Sequence, residues 1–245
     1  MPLPMCHSRV DPSPYPQEPT MRFFSDPDAV ARYAEGPVRL VPGFDGLQRM
    51  TTLLLREAVP AAGNVLVLGA GGGLELKCFA DAEPNWRFVG VDPSAEMLKL
   101  AQATLGPFNA RVQLHEGYID TAPLGPFDGA TCLLTLHFIP KPERLQTLKA
   151  LWQRLLPGAP LIVAHHSFPQ TPQEKARWLK RYAAFAVDSG VPAEDAERAI
   201  TAISAQLPVL SPEQDAALMH DAGFEDVALF YAGFSFKGWV GYKPR

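Results

Sequence analysis

The chain has 245 residues, enough for one large α/β domain with a cap and a sizeable buried core. Its formal charge of −4 excludes a general electrostatic draw toward nucleic acid or anionic membrane. Cys6, Cys78 and Cys132 stand too far apart for a disulfide framework or a zinc site, and no stretch approaches the ~18 apolar residues of a membrane span, so a soluble cytoplasmic protein is expected.

Six of the first twenty residues are proline, which fixes φ and removes donors too often for a regular element. Residues 1–20 are therefore expected to be a disordered leader ahead of a single domain over 21–245. Ser25 or Asp26 is placed to cap a short helix carrying Val30, Tyr33 and Ala34. A turn at Val41-Pro42-Gly43 then leads into a helix over 44–59, where Leu47, Met50, Leu54 and Ala58 recur at helical spacing.

Residues 65–92, VLVLGAGGGLELKCFADAEPNWRFVGVD, read as strand, glycine-rich turn, helix, strand and terminal acid. The apolar run 65–68 is too short for a buried helix and suits a strand covered on both faces. The helix over 74–82 ends before Pro84, and the second strand covers 86–91. Pro93-Ser94 opens a helix to residue 105 with Ala95, Leu98 and Ala101 on one side. Strands are expected at 111–115 and 127–136, an amphipathic helix at 142–156, and a fifth strand at 160–165. This alternation predicts a doubly wound parallel sheet.

The rhythm changes after Ser167. Residues 172–187 and 192–207 read as two successive helices with no strand between them, and so form a cap at about 168–208 over the strand ends. A helix over 212–222 stops at Gly223, and strands at 227–232 and 234–242 are close enough to pair as an antiparallel hairpin.

The chemistry is concentrated at Gly69-Ala70-Gly71-Gly72-Gly73, where four residues without Cβ let a ligand approach the backbone. A dinucleotide fingerprint fails in both registers, because Leu74 and Leu76 stand where its last glycine would be, and no Gly-Lys-Ser/Thr follows for a Walker A loop. What fits is G-x-G-x-G at 69, 71 and 73, with Asp92 at the end of the next strand to accept from both ribose hydroxyls.

At these residues the chain resembles the class I S-adenosylmethionine-dependent methyltransferases. The resemblance runs over about residues 41–242 and includes LLPGAPLIV (155–163) before strand five and GFEDVALFYAGFSFKGWVGY (223–242) as a closing hairpin. It implies an α/β fold: a doubly wound, mostly parallel seven-stranded Rossmann-like sheet with a C-terminal antiparallel hairpin and a helical cap insertion. It also implies S-adenosylmethionine as cofactor, on a site drawn from Gly69, Ala70, Gly71, Gly73, Asp92, Pro93 and Tyr118.

A closer likeness, to the carboxy-S-adenosylmethionine synthase branch, lies in VPGF (41–44), LTLHFIPKPER (134–144) and DAGFEDVALFYAGFSFKGWVGYK (221–243). In that branch the VPG-aromatic segment lies beside the cofactor, which adds Phe44 to the site. Three positions depart from the pattern. Val67 stands where most members carry an acid, a water-mediated partner of the cofactor's amino group. Tyr118 replaces the acid that receives the adenine amine, with Asp120 two residues away, and Arg198 does not match the spacing of the branch's carboxylate-holding arginine.

His137 is the candidate catalytic residue, because it follows the apolar fourth strand where doubly wound sheets place reacting groups; it would act as general base or line the acceptor pocket. His165 and His166 end the fifth strand, and strand alternation sends one of them to the site. Tyr33, Trp178 and Tyr182 are candidates around the acceptor, whereas Lys175, Arg177, Lys180 and Arg181 read as a solvated helix face. No metal site is expected. The reading is methyl transfer to an unidentified small molecule, with a synthase-like change of the cofactor methyl and a non-enzymatic binding module as alternatives; acceptor and oligomeric state are not legible here.

Overall fold

The computed structural model describes residues 36–245, so the proline-rich leader, the helix at Ser25 or Asp26 and Tyr33 lie outside the described residues. A short helix α1 (Gly36–Leu40), not expected from the sequence, precedes α2 (Phe44–Arg56), which Gly43 opens in the left-handed conformation at φ 67°. Then follow β1 (Asn64–Leu68), α3 (Leu74–Ala82), β2 (Arg87–Asp92), α4 (Ala95–Leu105) and β3 (Val112–Glu116). The second half holds β4 (Gly129–Leu133), α5 (Lys141–Arg154), β5 (Pro160–His166), the cap helices α6 (Pro172–Asp188) and α7 (Ala193–Gln206), α8 (Pro212–Asp221), β6 (Glu225–Gly233) and β7 (Phe236–Tyr242).

Helix starts follow the capping chemistry of the sequence. Ser94 Oγ accepts from Met97 N at 3.2 Å to begin α4. Thr171 and Ser211 do the same for α6 and α8, each followed by proline at the first helical position, and Ser211 completes a reciprocal capping box with Gln214.

The sheet order is β3-β2-β1-β4-β5-β7-β6, parallel except for β7, which runs antiparallel to both β5 and β6. The expected seven-stranded, doubly wound α/β architecture with its closing hairpin is what the chain adopts. Along β1 the side chains alternate: Val65 and Val67 join one apolar cluster with Leu47, Leu55, Leu76 and Phe79, while Leu66 and Leu68 join the other with Leu148, Leu151, Leu218 and Met219. Helices thus cover both faces, which is why β4 and β5 are buried along their whole length. The cap enters the first cluster through Leu179, Tyr182 and Ile203.

Several boundaries differ from the sequence expectation. β4 stops at Leu133 rather than 136, because Leu134 takes φ 56° and the chain turns into a 3₁₀ turn, Leu136–Phe138. β3 starts at Val112 because Gly106–Arg111 winds a 3₁₀ turn first. The hairpin turns at Phe234 and Ser235, with Gly233 still paired to Phe236, and the edge strand β6 carries register shifts between Glu225 and Ala228 and between Leu229 and Tyr231. Among the described residues no helix is long and apolar enough to cross a membrane.

Candidate functional site

The chain order reverses between β1 and β4: β2 and β3 extend the sheet to one side, β4 and β5 to the other. Such a switch point leaves a crevice outside the carboxyl ends of the two strands, and the glycine turn leaves β1 there. Gly69, Gly71 and Gly73 take φ of 79°, 49° and 82°, a region in which a side chain is strained. Space excludes side chains too: a Cβ on Gly69 would overlap Thr135 Oγ1, and one on Gly73 would come within 2.9 Å of Ala101 Cα. The turn is tied to the neighbouring strand by Gly69 N and Ala70 N, which both donate to Val91 O at 2.8 and 3.0 Å.

Asp92, at the carboxyl end of β2, accepts from Gly71 N through Oδ2 and from Ser94 N through Oδ1, each at 2.9 Å. Burial raises its pKa, and these two N–H groups oppose the rise. Each carboxylate oxygen keeps a second lone pair for a ligand hydroxyl. Pro93 follows directly, between Asp92 and the Ser94 cap of α4. Beyond β3, Gly117 N donates to Asp92 O at 3.1 Å and brings Tyr118 alongside; the Tyr118 phenol is pushed up by burial and then by the charge of Asp92. Asp120 is exposed and receives Thr121 N at 3.0 Å, so the side chain held near Asp92 is Tyr118.

Phe44 is buried in the core cluster at the start of α2, and the preceding segment is pinned to β6 by the Tyr231 hydroxyl, which donates to Pro42 O at 2.5 Å. At the carboxyl end of β5, alternation separates the two histidines. His166 lies against Phe236 with ring centroids 4.0 Å apart, meets Tyr182 of the cap edge-on at 5.3 Å, and places Nδ1 3.1 Å from Ser235 Oγ. Burial, and then the neighbouring His165, lowers its pKa to about 3.

His137 is on the 3₁₀ turn after β4, buried, with Nδ1 accepting from His166 N at 3.3 Å. Burial first, then the surrounding His166, His165 and Arg144, holds its pKa well below the usual range. A neutral ring whose Nδ1 accepts carries its proton on Nε2. His165 faces the other way, with Nε2 3.2 Å from Asp215 Oδ1. Trp178 lies under Arg181 and Lys237, and Lys175 and Arg177 are occupied by Ser204 O and Glu174 on the cap's outer face. Among the described residues no group of three His, Cys, Asp or Glu is arranged to hold a metal ion.

Two features were missed by the sequence reading. Arg144 and Asp215 form a buried ion pair at 2.6 Å, both side chains almost fully enclosed. Glu75, in the first turn of α3, is buried and accepts from the Thr131 hydroxyl. The available signal was positional: Glu75 shares one helical face with Leu76, Phe79 and Ala80.

Residues 65–158 match the family described as a methyltransferase domain. The carboxy-S-adenosyl-L-methionine synthase of Chromohalobacter salexigens is 26% identical over 232 residues, 93% of this chain and 86% of its own. Among solved structures, a SAM-dependent methyltransferase from Aquifex aeolicus aligns with 89% of this chain and 98% of its own at 17% identity, TM-score 0.60. Human N-acetylserotonin methyltransferase in complex with SAM aligns with 92% of this chain at 15% identity, TM-score 0.61, and this chain spans 59% of its length. The structural likenesses establish the fold.

Proposed function

We propose that this chain, whose residues 65–158 match a methyltransferase domain, is a class I S-adenosylmethionine-dependent methyltransferase that transfers the cofactor's methyl group to a small-molecule acceptor held between the strand ends and the α6–α7 cap, in the cytoplasm. The observation that carries the proposal is the convergence at one switch point of a turn that admits no side chain at Gly69 or Gly73 and a carboxylate already oriented by two backbone N–H groups. Asp92 would hold the ribose hydroxyls, Gly69, Ala70, Gly71 and Gly73 would admit the ligand's approach to the backbone, and Pro93, Tyr118 and Phe44 would border it. Bound there, S-adenosylmethionine supplies an electrophilic methyl on a sulfonium sulfur.

The residues at the acceptor side favour positioning over proton abstraction. His137 Nδ1 is engaged by the His166 N–H and both imidazoles are held neutral, so His137 serves to line the pocket and to donate from Nε2. That arrangement suits an acceptor that arrives with its own lone pair, such as an amine or a carboxylate.

A second reading, a synthase-like change of the cofactor methyl, is favoured by the name and coverage of the Chromohalobacter relative. It needs a cation for the added carboxylate, and Arg198 does not supply one: its side chain is 71% exposed and paired with Asp195 one turn away. Calorimetric titration with S-adenosylmethionine and S-adenosylhomocysteine should show binding of both, and no binding of either at high micromolar concentration would overturn the methyltransferase reading. Mass spectrometry of nucleoside co-purified with the protein separates the two reactions, since a carboxylated cofactor would establish the synthase.

A further inference from the structure

We infer that Glu75 is the carboxylate that receives the cationic ammonium of the ligand in the glycine cradle. The inference rests on the S-adenosylmethionine reading of that cradle. Glu75 stands two residues beyond Gly73, in the first turn of the helix that leaves the glycine turn. Its carboxyl is bonded to Thr131 of β4, and Thr131 is paired in register with Val67 of β1. The acid therefore lies over the β1–β4 pair, at the switch point itself and on the same sheet face as the apolar Val67. An acid delivered from the helix thus occupies the level of the sheet where the strand offers only a methyl-bearing side chain.

A buried carboxyl needs a reason, because placing a charge in an apolar layer costs far more than one hydrogen bond returns. Among the described residues Thr131 is the hydrogen-bond partner of Glu75, and no Lys, Arg or His forms an ion pair with it. The nearby titratable groups are thiols, Cys78 on α3 itself and Cys132, which β4 directs to the opposite face of the sheet; Glu75 pushes both up further after burial has raised them. β1 contributes Val67, and α2 acts on Cys78 alone, through Thr52 and Asp45. Glu75 as a residue keeps 8% of its surface accessible.

Burial, opposed by the Thr131 bond, raises the Glu75 pKa from 4.5 to about 8. The ligand-free protein at neutral pH therefore carries it as the neutral acid. A ligand ammonium placed against it favours the ionised form, so the O–H bond breaks, the proton passes to solvent and the carboxylate stays as the counter-ion.

The test is titration of the full chain at pH 7 in phosphate and in Tris, whose ionisation enthalpies differ, with three ligands: S-adenosylmethionine, S-adenosylhomocysteine and methylthioadenosine, which lacks the amino-acid ammonium. The first two should bind with a buffer-dependent enthalpy that reports release of about one proton. Methylthioadenosine should bind without it. Glu75→Gln keeps an acceptor for Thr131; it should abolish the buffer dependence and weaken the two ammonium ligands on the order of 10- to 100-fold, leaving methylthioadenosine unchanged.

Thr131→Val leaves the acid but removes its donor. At pH 8 it should raise proton release above the wild-type value of about half a proton, and this readout stands even where Glu75→Gln does not fold. Wild-type binding with no buffer dependence, or wild-type affinity in Glu75→Gln, would overturn the inference while leaving the cofactor reading intact. Absence of binding by all three ligands would overturn both.

Discussion

Among the described residues two acids are buried, and they have opposite surroundings. Asp215, on α8, meets Arg144 Nη1 at 2.6 Å and His165 Nε2 at 3.2 Å. Burial pushes its pKa up, but the neighbouring His165 and Arg144 more than reverse this, so the carboxyl sits below the usual range. Glu75 has one hydroxyl and no cation, and its carboxyl sits near 8. The comparison teaches that an acid with its counter-ion built in is part of the frame, whereas an acid without one is held ready for a charge that comes from outside.

The frame role of the first acid is visible in what its partner touches. Arg144 also donates to Pro208 O at 2.9 Å and to Ile139 O at 3.1 Å, joining α5 to the chain that leaves the cap and to the turn that carries His137. Replacing Arg144 by Met removes the guanidinium counter-ion and leaves the buried Asp215 with His165 alone. Urea denaturation should show a loss of about 3 to 5 kcal/mol, with most of it recovered when Asp215 is changed to Leu as well. No recovery in the double variant would mean that the carbonyl bonds, rather than the ion pair, hold the cap exit.

The pH dependence of stability tests the other side. Glu75 has a folded pKa of about 8 against 4.5 for the ordinary side chain. Its contribution is therefore complete below the ordinary value and is lost as pH rises toward the folded one, because the unfolded chain ionises first. Between about pH 5 and about pH 7.5 this should cost the ligand-free protein on the order of 3 kcal/mol relative to Glu75→Gln, read as a falling midpoint in the wild type against a flatter profile in the variant. Parallel profiles would show that Glu75 is ionised in the native state.

Asp92→Ala sharpens the contrast between cradle and frame. It should lower affinity for S-adenosylmethionine by about 1.5 to 3 kcal/mol in calorimetry; unchanged affinity would place the cofactor elsewhere. The smallest effect is expected at Ser211, whose hydroxyl receives Gln214 N at 3.3 Å at the start of the helix carrying Asp215. Ser211→Ala should cost about 1 kcal/mol in thermal or urea unfolding and leave ligand affinity alone.

The cradle and the frame were not equally legible. Gly69, Gly71, Gly73 and Asp92 lie within one βαβ unit, and their chemistry follows from consecutive residues with a short-range register. The end of β4 was harder: apolar residues continue to Leu136, and nothing local announces that Leu134 adopts a left-handed backbone. The two histidines that end β5 were placed on opposite faces by strand alternation alone, and the structure gives His166 to the cap side and His165 to Asp215. Which of them met which partner required α6, α8 and β7 to be docked.

What the sequence determined by itself is the alternating α/β layering, the closing hairpin, the helical cap and the glycine register that selects the ligand class, because each depends on periodicity or on neighbours a few residues apart. Only the tertiary structure decided the charge states of the buried acids. Glu75 meets Thr131 across 56 positions and Arg144 meets Asp215 across 71, and an acid in the first turn of a helix looks ordinary until the sheet is packed against it. Desolvation and pairing are properties of the space around a group, so the same residue type becomes a strut in one place and a receptor in another.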